Sequence, residues 1–133
     1  MKIAITGKGG QGIKLLGKIL ADLLLKKGYE IALVFDFDAA VRGGDSAAYL
    51  VYSEDKIENP IIDEADILIE LAETSKQIKS KKKIGNIEGK PANMHALARV
   101  LKELGLEFRE EEIAEALPER NREENLKVIM ENL

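Results

Sequence analysis

Gly7-Lys8-Gly9-Gly10-Gln11-Gly12 is the stretch whose residue types and spacing point most directly to chemistry. Its glycines follow the G-x-G-x-x-G pattern, which between a strand and a helix lets backbone amides approach a phosphate at the helix's positive end. The same pattern also serves as a tight turn that needs only close strand–helix packing, and both readings stand. A dinucleotide site would add an acid at the end of the second strand, about twenty residues on, to hold the ribose hydroxyls. Asp36 and Asp38 lie near that place, but the chain then turns through Arg42-Gly43-Gly44 into another extended segment where the standard unit would supply a helix. The loop also resembles the start of a deviant Walker A motif. Ile13 and Lys14 occupy the positions of its phosphate lysine and magnesium-binding hydroxyl, which argues against ATP hydrolysis.

Other chemistry is sparse. His95 is the sole histidine, so neither a histidine metal site nor a histidine-dependent triad can be assembled, and a capping or surface role is expected for it. Asp36, Asp38 and Asp45 would form a carboxylate cluster around the turn, but their spacing matches no calcium loop, and no metal is assigned. The chain has no cysteine, which excludes disulfides, thiolate zinc, thiol nucleophiles and any iron–sulfur cluster held by its own side chains. No catalytic residue is assigned. The candidates for contact with a cofactor or a partner are Gly7, Gly9, Gly10, Gln11, Gly12, Arg42, Gly43 and Gly44. Arg42 suits a bidentate pair with phosphate or carboxylate, and equally an anchor on backbone carbonyls.

A net charge of −4 argues against a nucleic-acid binder, whose affinity comes largely from cations on phosphates. The basic run Lys79-Ser80-Lys81-Lys82-Lys83 reads as a solvated loop or helix end, and Glu110-Glu111-Glu112 as a helix start that favours acids. Apolar runs fall short of the ~20 residues that span a bilayer, and Met1-Lys2 leads directly into Ile-Ala-Ile without a signal-peptide pattern. A cytoplasmic location is therefore expected. Abundant Glu and Lys lean toward a heat-adapted source.

These residues need elements to position them. Residues 2–6 alternate β-branched and small side chains as a first strand. From 11 to about 27 the pattern is helical, with Ile13, Leu16, Leu20, Leu23 and Leu24 on one face and Lys14, Lys18, Asp22 and Lys26 on the other; Gly28 closes it as a left-handed cap. Residues 30–35 form an apolar strand, 46–53 another, and 66–71 a third, with a short polar helix expected after it. Residues 80–91 read as loop. Asn93 opens a helix that buries Leu97, Val100, Leu101 and Leu104 and ends at Gly105, and Pro118 separates two further helices at 110–117 and 119–133. With 133 residues the chain forms one domain, residues 1–133: an α/β, Rossmann-like three-layer domain with a mostly parallel sheet and a helical C-terminal part.

Three segments carry a family resemblance. Gly7 to Ile13 as GKGGQGI, then Val41-Arg42-Gly43-Gly44-Asp45-Ser46, then Gly85-Asn86 and Ala92-Asn93-Met94 together resemble the gamma subunit family of 2-oxoacid:ferredoxin oxidoreductases, with this chain as a shortened member. The resemblance runs over 2–71 and again from 85 to near the C-terminus. It implies a complex that decarboxylates a 2-oxoacid with thiamine diphosphate, passes electrons through iron–sulfur clusters to ferredoxin, and forms an acyl-CoA. This chain would be its small, non-catalytic gamma subunit, inactive alone. It would bind no cofactor by itself, the thiamine, clusters and coenzyme A belonging to the complex. Its partners would be the other subunits and, through them, ferredoxin, with no nucleic acid or membrane, and a homodimer possible when isolated. The resemblance places the glycine loop and the Arg-Gly-Gly turn against partner chains in preference to coenzyme A. A stand-alone Rossmann-type nucleotide- or CoA-binding module is the alternative, and a structural interaction protein that has lost the enzyme is a third.

Overall fold

Ile3, Ala4 and Ile5 have no exposed surface, because the strand that carries them is hydrogen-bonded along both edges and covered on both faces. In the computed structural model, which describes residues 1–37 and 44–133, the elements run β1 (Lys2–Lys8), α1 (Ile13–Lys26), β2 (Glu30–Phe37), β3 (Asp45–Ser53), β4 (Glu64–Glu70), β5 (Lys79–Ile84), α2 (Ala92–Leu104), α3 (Glu110–Ala116) and α4 (Arg122–Asn132). The strands form one sheet in the order β2-β3-β1-β4-β5. β1 pairs in parallel with β4, and β4 with β5, whereas β3 lies antiparallel to both β1 and β2. Four strands therefore share one direction, and β3 is the reversed strand inserted between β1 and β2.

α1 forms because its apolar residues recur at helical spacing, and Leu16, Leu20, Leu23 and Leu24 are fully buried against the sheet. Its end is a Schellman turn: Gly28, at φ 90°, donates its N–H to the Leu25 carbonyl, and Tyr29 donates to that of Leu24. Gly17 brings α1 close to the sheet, since a Cβ there would lie 3.3 Å from Phe35 and 3.4 Å from Ala48. At α3, the backbone N–H of Arg109 donates to Glu112 Oε1 at 2.9 Å, closing the acidic first turn.

Two features differ from the expectation. The main core joins Ile3, Ile5, Leu50, Ile67, Ile69 and Ile84 to residues of all four helices, whereas Ala4, Ala65 and Leu68 on the opposite face pack only with Tyr49, Ile62 and Ile78. The helical layer is thus one-sided, and connecting chain covers the other face. The expected third layer is absent among the described residues, because the segment after β4 runs as bends instead of a helix. The second difference is β5, read as loop because lysine is a poor strand former. Pairing with β4 overrides that propensity, and acids on two elements, β4 and α2, take three of its lysines: Asp66 holds Lys81 at 3.2 Å, Glu103 holds Lys82 at 2.6 Å and Glu70 holds Lys83 at 2.7 Å. No helix among the described residues is long and apolar enough to cross a membrane.

Leu20 has no exposed surface and sits amid this core. Leu20→Ala is expected to lower the free energy of unfolding by about 3 kcal/mol, from lost burial plus the cavity left behind, which a urea titration followed by circular dichroism would measure.

Candidate functional site

The glycine loop leaves the carboxyl end of β1 and enters α1 within four residues, so its backbone must turn sharply. Gly10 and Gly12 adopt φ 87° and 76°, the left-handed region that glycine enters without a Cβ penalty. At Gly12 a side chain is doubly excluded, because a Cβ would lie 2.3 Å from Asn93 Nδ2, which donates to the Gly12 carbonyl at 3.5 Å. Gly7 makes room of another kind: a Cβ there would lie 2.8 Å from both Gln11 Oε1 and Ile13 Cδ1.

Gln11 organises the loop. Its Oε1 accepts the Lys8 backbone N–H at 2.6 Å, and its Nε2 donates to the Leu71 carbonyl just past β4 at 3.3 Å. The chain leaves β1 toward β2 and leaves β4 toward β5, so these two carboxyl ends form the switch point where open α/β sheets bind ligands. Here the Gln11 amide bridges that crevice. The Gly9 N–H donates to the Gly44 carbonyl at 2.8 Å and the Gln11 N–H to that of Lys8 at 3.2 Å. The amides of Lys8, Gly9 and Gln11 are thus taken by the chain itself. Beside the loop lies an open groove of about 750 Å³, bordered by Lys8, Lys14, Lys18, Phe37 and the first turn of α1.

Gly7, Gly9, Gly10, Gln11, Gly12 and Gly44 come together at this end of the sheet, whereas Arg42, Gly43 and Asp38 lie outside the described residues. Asp36 and Asp45 are held by the adjacent residues Lys76 and Ser75. Asp36 pairs with Lys76 at 2.6 Å, and that hydrogen bond raises the lysine's pKa. Asp45 accepts from the Lys8 ammonium and from the Ser75 hydroxyl and N–H, and these bonds hold its carboxyl far below the usual range. Among the described residues no group of three or more His, Asp or Glu is placed to hold a metal. His95 packs its imidazole over Gly89, where a Cβ would lie 2.5 Å from Nε2. Ser75, Lys76 and Leu71 escaped the sequence reading, because nothing local marks a residue whose partner lies 30 or more positions away.

A five-stranded sheet with a glycine turn at the end of its first strand defines a Rossmann-like α/β domain. The chain belongs to the pyruvate ferredoxin/flavodoxin oxidoreductase family, whose model matches residues 2–86. It is 31% identical over 75 residues to the 2-oxoglutarate synthase subunit KorC of Archaeoglobus fulgidus, an alignment that takes in 56% of this chain and 40% of that protein. It is 29% identical over 75 residues to the ketoisovalerate oxidoreductase subunit VorA of Methanothermobacter thermautotrophicus, covering 56% of this chain and 16% of the relative. The alignments thus span less than half the length of these curated relatives. Its fold superposes on the keto/oxoacid ferredoxin oxidoreductase gamma subunit of Geobacter sulfurreducens with a TM-score of 0.71 at 20% identity, over 98% of this chain and 93% of that one. The pyruvate oxidoreductase subunit PORC of Thermotoga maritima gives 0.71 at 15% identity, over 99% and 94%.

Two outcomes are expected. Gly12→Ala combines left-handed strain with the Asn93 clash and should cost about 1–3 kcal/mol, whereas Gly10→Ala, with open space, should cost only the strain; thermal unfolding of both variants checks the order. Asp45, and Asp66, where the Lys2 N–H and Lys81 more than offset the raising effect of burial, both have folded pKa values below their unfolded ones. Their stabilisation is complete above about pH 4 and is lost as the pH falls from there toward the folded values. Urea midpoints measured from pH 6 to pH 2.5 should decline, with a shallower slope in Asp45→Asn.

Proposed function

We propose that this chain is the small gamma-type subunit of a 2-oxoacid:ferredoxin oxidoreductase, contributing a structural domain to a complex that converts a 2-oxoacid and coenzyme A to an acyl-CoA while reducing ferredoxin. The observation that carries the reading is coextension. The family model takes in all five strands, and the fold corresponds to 93% and 94% of two subunits of such enzymes, from Geobacter sulfurreducens and Thermotoga maritima.

The residues of this chain fit an accessory role. An iron–sulfur cluster needs thiolate ligands, and the chain has no cysteine. It also lacks the Gly-Asp-Gly and distant Asn-Asn pattern of a thiamine diphosphate site. In this proposal both groups belong to partner chains, in the cytoplasm. The glycine loop and the turn at Gly44 then form a rigid contact surface for a partner subunit. The internal use of the Lys8, Gly9 and Gln11 amides supports protein contact over phosphate capture. The second reading, a free-standing CoA- or nucleotide-binding module, draws on the Lys8, Lys14 and Lys18 border of the adjacent groove.

A pull-down of the tagged chain from its native source is expected to recover cysteine-rich and thiamine-binding subunits with 2-oxoacid-dependent ferredoxin reduction. Recovery of the chain alone, together with heat on calorimetric titration of CoA, would replace this proposal with the second reading.

A further inference from the structure

The segment between β4 and β5 crosses the helix-free face of the sheet as bends, and it is tied down at a few points. At its start the Leu71 N–H donates to the Thr6 carbonyl at 2.8 Å, and the Leu71 carbonyl accepts from Gln11 Nε2 at 3.3 Å. At its end Ile78 packs on the small cluster of Ala4, Ala65 and Leu68. Between these points two adjacent residues hold it. The Ser75 N–H donates to Asp45 Oδ2 at 2.7 Å and the Ser75 hydroxyl donates to the same oxygen, while Lys76 Nζ donates to Asp36 Oδ2 at 2.6 Å. Glu73, Ser75 and Gln77 are exposed. Polar, solvent-facing ties of this kind open locally while a sheet stays folded.

Asp45 connects these ties to the glycine loop. It lies directly opposite Lys8 at the last position of the β1–β3 ladder, and its Oδ1 accepts from the Lys8 ammonium while its Oδ2 takes Ser75. Although it sits at the end of the ladder, its side chain is only 13% exposed. A single carboxylate orientation therefore serves two partners, one at the start of the glycine loop and the other in the crossing segment. Whichever bond forms first fixes that orientation, and the second forms without the same loss of side-chain entropy, so each bond strengthens the other.

We infer that residues 71–78 form a latched strap across the helix-free face of the sheet, with Asp45 as the pivot of the latch and Lys8 as its release, so that contact drawing the Lys8 ammonium away from Asp45 loosens the strap at Ser75. The glycine loop and the opposite face of the sheet are thereby coupled through one side chain. These bonds stand whichever partner or ligand the loop meets, so the latch is independent of the subunit reading.

Amide hydrogen exchange of the whole chain at pH 6, followed residue by residue by NMR, tests the coupling, because the Ser75 N–H is itself bonded to the pivot. Lys8→Met removes the ammonium and keeps the aliphatic stem; it should speed exchange at Ser75 about three- to tenfold and leave the Ile5 amide in β1 unchanged. Lys14→Met, at a lysine of the same groove that makes no bond to Asp45, should leave Ser75 unchanged. Asp45→Asn should speed exchange at Ser75 at least as much as Lys8→Met does, and adding Lys8→Met to it should bring no further gain. Unchanged Ser75 exchange in Lys8→Met, an equal effect from Lys14→Met, an equal acceleration at Ile5, or single-variant effects that multiply in the double variant would each overturn the inference.

Discussion

β1 is covered on both faces and hydrogen-bonded on both edges, and much of the structure answers that constraint. A strand so placed must carry apolar or small side chains throughout and must find partners for its backbone where the sheet ends. Ile3 and Ile5 meet the helices, while Ala4 faces the thinner layer of connecting chain. At its carboxyl end the Lys8 N–H goes to Gln11, the Gly9 N–H to Gly44 and the Thr6 carbonyl to the Leu71 N–H. The glycines follow from this: Gly7 admits the Gln11 and Ile13 side chains, and Gly12 reverses the chain into α1 beneath Asn93.

That account bears on how a G-x-G-x-x-G stretch is read. The pattern reports a sharp strand-to-helix turn with close backbone approach, and it is silent about which group approaches. Here an amide side chain from within the loop takes the space between the ends of β1 and β4. A loop satisfied in this way holds its shape without a ligand.

Charge is distributed so that one edge of the sheet is closed and the other is left apolar. Lys81, Lys82 and Lys83 of β5 are neutralised by acids on β4 and α2, exposed pairs that add little stability but keep the edge polar. Lys8 and Lys76 perform a related service near the loop, each fixing one acid that the chain brings close to the glycine turn.

The sequence by itself determined what depends on near neighbours. The apolar repeat of α1 and the glycine at its end, the helix from Asn93 to Gly105, the break at Pro118 and the tight turn after β1 are legible because periodicity, caps and left-handed glycines act within a few residues. The motif combination that marks the family was legible too. Tertiary structure alone decided that β3 inserts reversed between β1 and β2, that a run of lysines becomes a strand, that the helices gather on one face, and that Gln11, Asp36 and Asp45 turn to Leu71, Lys76 and Ser75. Each of these is a pairing between residues far apart in the chain. Which distant group satisfies a backbone amide or a carboxylate is set only once the whole sheet has formed.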